Sequence, residues 1–176
     1  MRSNRGRYTC SEYKRVYVDR DSAYGANFNR YEVGTKWEMI QRGYNVTAKP
    51  FSPSDSIGNS LVATWKINGE NIFKDPEVVW NFSKFELKKK LEESFYEWGK
   101  KARVIVRVSW IDGGTHGFTA RFSNGKIIYE DPQAAVELDI DEVIKKCTLV
   151  KGKNWFMRVD NRAFTEAIKD AVENVE

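Results

Sequence analysis

Chemistry near neutral pH draws most readily on imidazole and thiol groups, and this 176-residue chain has one histidine, His116, and two cysteines, Cys10 and Cys147. The histidine stands a short distance before Asn124-Gly125, a dipeptide in which both residues tolerate the positive φ of a type I′ turn, so a two-residue β-hairpin is predicted there. Such a turn pairs Ser123 with Lys126 and Phe122 with Ile127, and carries the register outward until Phe118 faces Asp131 and His116 faces Gln133. Side chains alternate between faces, so His116, Phe118, Ala120 and Phe122 share one face with Ile127, Tyr129, Asp131 and Gln133. His116 and Asp131 are then diagonal neighbours within reach of each other. An imidazole beside a carboxylate is the base and orienter of a nucleophile–base–orienter triad. The same bond can also simply satisfy two polar groups at the rim of a sheet. Beyond Asp131, Pro132 has no N–H to give to a ladder, and the pairing can slip there.

The hairpin needs neighbours to hold it. Before it, Val104, Val106, Val108 and Trp110 alternate with Ile105, Arg107 and Ser109, which predicts a half-buried strand. Ser83 with Glu86 three residues on is a capping box, and the helix it opens carries Leu87, Leu91, Phe95 and Trp98 on one stripe up to Gly99. An earlier helix begins near Asn29, with Val33, Trp37 and Ile40 on one face, and ends at Gly43. A short strand, 44–48, and a loop opened by Lys49-Pro50 follow it. Residues 54–82 carry one clear signal, a turn at Asn68-Gly69. After the hairpin the pattern predicts a short helix over 139–146 and a strand over 154–160. A last helix is expected with Phe164, Ile168, Val172 and Val175 on one face. Residues 1–28 have no clear period and read as an arm or irregular lead-in, which leaves 29–176 as one α+β domain.

Composition narrows the function classes. The 41% hydrophobic and 14% aromatic content supports a folded chain. Charges interrupt every apolar run before it reaches the length of a membrane span, and no apolar segment follows the basic start, so neither a span nor a signal peptide is expected. A lone histidine and two distant cysteines make no familiar zinc set, and no cofactor is expected. Two free thiols are the expected state, with a Cys10–Cys147 disulfide as the alternative in an oxidising compartment. Cys147 falls near the end of a predicted helix, where the dipole disfavours a thiolate, and reads as structural. The net charge of +4 and pI of about 9.0 come from scattered clusters, among them Lys88 to Lys90, Lys145-Lys146 and Lys151 with Lys153. Nucleic-acid binding follows from them only as an alternative to a solvated surface.

Several segments together resemble the papain-fold toxin domains of bacterial polymorphic toxins and phage minor head proteins. They are Gly114-Thr115-His116-Gly117-Phe118, Phe122-Ser123-Asn124-Gly125-Lys126-Ile127, Asp131-Pro132-Gln133, the run from Glu38-Met39-Ile40-Gln41-Arg42-Gly43 to Ala48, and Phe156-Met157-Arg158-Val159-Asp160-Asn161. They occur in family order from about residue 27 to 161.

The resemblance implies a papain-like α+β fold, with an N-terminal helix packed on an antiparallel sheet and further helices. It implies acyl transfer at an amide, by glutamine deamidation or proteolysis, with His116 as general base, Asp131 as its orienter and Gln133 supporting the site. Trp110 joins Gln133 as a candidate substrate-binding side chain. The family's nucleophilic cysteine should sit just before Glu38-Met39, at the start of the first helix. This chain has Asn27-Phe28-Asn29-Arg30-Tyr31-Glu32-Val33 there. Phe28, Arg30 or Tyr31 stands in the nucleophile's place, and none can supply a thiolate. The expectation is a catalytically degenerate domain that acts by binding a protein, as a virion component among other virion proteins or as a toxin-like module with an immunity protein. The implied setting is a bacterial or phage-encoded protein, in the virion or secreted into a target cell. The alternative is an active deamidase or protease in which Cys10, displaced in sequence, acts with His116 and Asp131.

Overall fold

The computed structural model describes residues 30–43, 45–46, 65–132, 136–165 and 172–173. They fall into two compact units. One holds helix α1 (Arg30–Gln41), the strands β1 (Asn45–Val46) and β8 (Val172–Glu173), and residues 65–66 and 162–165. The other, Ile67–Asp131 with Glu137–Asn161, holds the main sheet and the histidine. The lead-in at 1–28, the loop opened by Lys49-Pro50 and all of 54–64 lie outside the described residues.

Six strands form the main sheet: β2 (Val78–Trp80), β3 (Arg103–Ser109), β4 (Thr115–Ser123), β5 (Lys126–Asp131), β6 (Val136–Leu138) and β7 (Trp155–Arg158). Their order is β2-β7-β3-β4-β5-β6 and the sheet is antiparallel, so the molecule is α+β as the pattern of strands and helices implies. Asn124 and Gly125 take φ of 51° and 79°, the left-handed pair that a type I′ turn requires. The register is the one that turn dictates, from Ser123↔Lys126 and Phe122↔Ile127 out to Thr119↔Glu130. Two of the strands, β2 and β6, have only three residues each, too short for an alternation to be seen in the sequence.

One face of this sheet is covered by helices. Leu87, Leu91 and Phe95 of α2 (Leu87–Trp98), with Trp98 partly buried, pack on Val104, Val106, Val108, Phe118, Ala120, Tyr129 and Phe156. Ile140 and Val143 of α3 (Ile140–Lys146) complete that core. Helix α2 starts where its capping residues place it. The Ser83 N–H donates to the Glu86 carboxylate at 2.9 Å, and this backbone bond holds the Glu86 carboxyl below the usual range. A 3₁₀ turn, Lys84–Glu86, precedes the α-helix proper. At the other end the Gly99 N–H bonds back to Phe95. Asp139 caps α3 through its carboxylate, which accepts from the Asp141 N–H at 2.9 Å.

The expectation that β3 is half-buried does not hold. Ile105 and Ser109, on the face away from α2, are buried along with Val104 and Val106. The strand lies between β4 and β7, and around Ile105 its neighbours present Met157, Thr119 and the buried Arg121–Glu130 ion pair at 2.7 Å. Alternation of side-chain polarity therefore marks the two faces without marking exposure. A second network pins the edge of the sheet. Arg158 donates to Glu77 at 2.8 Å and to Asp160 at 3.0 Å, Asp160 accepts from the Arg103 N–H, and Asn161 donates to Glu77 at 2.9 Å.

In the other unit, α1 ends as expected, with the Gly43 N–H bonded to the Ile40 carbonyl at 2.8 Å. Its burial is not confined to one face, since Trp37, Glu38, Met39, Ile40 and Gln41 are all buried. Glu38 is compensated by Arg42 at 2.7 Å, and the Arg42 guanidinium lies over the rings of Phe164 and Trp65. The expected last helix is corrected at its far end. Val172 lies in a strand, paired with Val46, and Phe164 forms an isolated bridge with Trp65; Ile168 and Val175 lie outside the described residues. A β-branched valine at a helix-compatible spacing takes the extended form where a partner strand is available.

Leu91 is fully buried between α2 and the sheet. Leu91→Ala is expected to lower the unfolding free energy by about 2–5 kcal/mol. Urea titration of the two proteins measures the difference, and a loss below about half a kcal/mol would mean the stripe does not carry the core.

Candidate functional site

The rim of the helix-covered face holds the polar pair. Phe118, Ala120 and Phe122 point from β4 toward α2, and His116 is the next residue outward on that face, opposite Val108 of β3. From the end of β5, Asp131 reaches across, and the His116 Nε2 and Asp131 Oδ2 atoms are 2.7 Å apart. The diagonal placement drawn from the Asn124-Gly125 turn is thus the one in the structure. Both side chains are mostly sheltered, 16% and 11% exposed.

A glycine turn sets the approach of the third member. Trp110 follows β3, its N–H bonds to the Gly114 carbonyl at 3.0 Å, and Gly113 and Gly114 take φ of 96° and 83°, where side chains with a Cβ are strained. The turn folds the Trp110 indole back over His116, with centroids 5.6 Å apart and planes at 22°. One face of the imidazole is therefore covered by an aromatic ring. The strand end is clamped from a distance of 45 residues in sequence. Asn154 accepts from the Ser109 N–H at 3.0 Å, and the Ser109 hydroxyl donates to the Lys153 carbonyl at 3.1 Å.

This geometry decides which nitrogen could do chemistry. An ionised carboxylate only accepts, so the proton of a neutral His116 sits on Nε2 and the lone pair on Nδ1. Nδ1 makes no hydrogen bond among the described residues. Asp131 orients the ring, Trp110 fixes its plane, and Nδ1 is left as the atom that would take a proton from a nucleophile.

The residues named from the sequence separate clearly. His116, Asp131 and Trp110 come together; Cys10 and Gln133 lie outside the described residues. Of the segment where a nucleophile was expected, Asn27, Phe28 and Asn29 also lie outside them, and Arg30 and Tyr31 open α1 in the other unit. Cys147 is a free, fully buried thiol at the end of α3, and its Sγ donates to the Val143 carbonyl at 3.3 Å. Burial pushes it up to about 11, with Lys84 pulling the other way, so it is no nucleophile at neutral pH. The pairing of Trp110 with His116 was not legible in the sequence, because it depends on how the Gly113-Gly114 turn closes. The Asn154 clamp likewise has no local signal. No three His, Cys, Asp or Glu side chains converge as a metal site among the described residues, and no helix there is long and apolar enough to cross a membrane.

Compared with known protein families, curated proteins and solved structures, the chain finds no match.

Two outcomes follow from these environments. With a single histidine in the chain, ¹⁵N-edited NMR should show the neutral form of the imidazole as the Nε2–H tautomer, and Asp131→Ala should release that preference. An Nδ1–H tautomer in the unaltered protein would contradict the geometry. The buried thiol gives a pH dependence. Cys147 rises from 9.0 to about 11 and Tyr129, also through burial, from 10.0 to about 12. Both are raised, so the folded state holds their protons longer than the unfolded chain. Their stabilisation is complete below pH 9 and is lost as pH climbs through these folded values. Urea midpoints measured from about pH 7 to 11 should fall above about pH 9, with Cys147 contributing on the order of 2 kcal/mol at the top of the range. In Cys147→Ala the part of the slope between about pH 9 and 11 should flatten.

Proposed function

We propose that this chain carries a papain-like domain related to the papain-fold toxin domains, with the base and its orienter kept, no thiol at the start of the first helix, and a function in binding a protein. The observation that carries the reading is the 2.7 Å His116–Asp131 bond standing in a chain whose α1 begins Arg30-Tyr31-Glu32-Val33. Covalent amide hydrolysis needs a nucleophile within hydrogen-bonding reach of the base. Cys147, the thiol among the described residues, is committed to the core. What remains, an oriented imidazole under a tryptophan, then serves as a recognition surface for a protein partner. The setting proposed is a phage virion, as a minor head or capsid component, or a toxin-like module delivered into a target cell and held by an immunity protein.

A second reading keeps catalysis and draws on the same bond. Nδ1 of His116 is open, and Cys10 would be the displaced nucleophile of a glutamine deamidase or protease.

Thiol reactivity and turnover separate the two. Under the binding reading, the full chain releases no ammonia from casein above background and cleaves none of it, and His116→Ala leaves both at background. Iodoacetamide at about pH 7.5 labels Cys10 no faster than free cysteine and at the same rate in both proteins, and Cys147 only after denaturation. Labelling of Cys10 that is fast and slows in His116→Ala, together with casein turnover lost in Cys10→Ala, overturns the binding reading.

A further inference from the structure

Two loops meet at the end of the sheet that carries His116. The 110–114 turn and the 147–153 segment are tied by the Ile111 N–H to the Lys146 carbonyl at 2.8 Å, the Thr148 N–H to the Ser109 carbonyl at 2.8 Å, and a bridge between Trp110 and Cys147. Their outward side chains are unusual for a surface. Ile111, Leu149 and Val150 are 65%, 66% and 55% exposed, in a molecule whose other aliphatic side chains in this unit are mostly in the core. Exposed aliphatic side chains gathered on two loops that are bonded together mark an interaction surface more often than singly scattered ones do.

Lysines predominate among the charges around them, against the one carboxylate of Asp112 beside Ile111 in the sequence. Between Glu142 and Asp160 the chain has no carboxylate and four lysines. Lys145 pairs with Glu142 at 3.0 Å, whereas Lys146, Lys151 and Lys153 are exposed and make no ion pair among the described residues. Lys151 is near enough to Glu86 to act on it, but that carboxylate is engaged by the Ser83 N–H. Asp112 is the acidic side chain on the 110–114 turn.

From this we infer that the surface formed by Ile111, Leu149 and Val150 with Lys146, Lys151 and Lys153 docks a protein segment that is acidic and aliphatic. The inference deepens the binding reading above and rests on it, since it names the chemistry of the partner. Charge complementarity selects the sign, because lysines ringing an apolar centre favour carboxylates at the rim of a partner. The type of apolar residue selects protein over nucleic acid. Bases are held on aromatic platforms and phosphates most specifically by arginine forks, and this surface offers aliphatic side chains and lysines. The surface flanks Trp110, so a segment docked there passes beside the covered imidazole.

The test uses the full chain and three labelled probes in fluorescence anisotropy: an alternating glutamate–leucine peptide, its lysine–leucine counterpart, and a single-stranded oligothymidine. The glutamate–leucine peptide should bind and weaken with added salt, and the other two should not compete with it. The triple change Lys146→Glu, Lys151→Glu and Lys153→Glu should weaken it about tenfold or more. The pair Leu149→Ser and Val150→Ser should do so by a similar factor, and the pair Lys100→Glu and Lys101→Glu, before the opposite end of β3, should leave it unchanged. All of these positions are on the exposed surface, and unaltered thermal melting of each variant confirms its fold. Binding indifferent to both sets of changes, or tighter binding of the oligothymidine, overturns the inference. Casein turnover that needs Cys10, with peptide binding still dependent on the lysines, would overturn the nucleophile-less reading and leave this surface in place.

Discussion

The φ angles of 51° at Asn124 and 79° at Gly125 close a two-residue turn, and every side chain from Ser123 back to His116 takes its face from that closure. A slip of one residue would send Phe118, Ala120 and Phe122 away from α2 and carry His116 to the opposite side of the sheet. The hydrophobic core and the polar pair are therefore specified together. Because Phe118 and Tyr129 must be buried under the helices, the next positions outward on the same face are forced to be neighbours.

That coupling explains how a mostly sheltered polar pair is held without a rigid scaffold of its own. The core beneath it is continuous through Val104, Val106, Val108 and Phe156, and α2 and α3 close over it. At the rim Trp110 lies over the imidazole. The Asn154–Ser109 and Lys153–Ser109 bonds secure the strand end from which Trp110 departs. Ring orientation is thus determined by a carboxylate on one side and packing on the other, the combination that a precise site requires.

Several residues of the motifs singled out in the sequence have structural work in this chain. Arg158, Asp160 and Asn161 tie β7 to Glu77 and to the start of β3, and Glu38 with Arg42 neutralises a charge buried inside the other unit. Such residues report a way of folding. Chemistry is reported by His116 and Asp131, and the binding reading turns on the thiol missing from the start of α1.

Local signals in the sequence determined a good part of this. Asn-Gly at a hairpin, a serine and glutamate at a helix start, and the glycines after α1 and α2 act within a few residues, so the turn, the beginning of α2 and the ends of α1 and α2 were legible. Through the turn, so was the meeting of His116 with Asp131. Other features depend on partners far apart in the chain. Whether Ile105 is buried depends on β7, which lies far along the chain, and Val172 is a strand because Val46 lies beside it. The stacking of Trp110 on His116, the clamp from Asn154 and the meeting of the 110–114 and 147–153 loops are of the same kind. Periodicity records which side chains share a face; only the packed chain decides what covers that face.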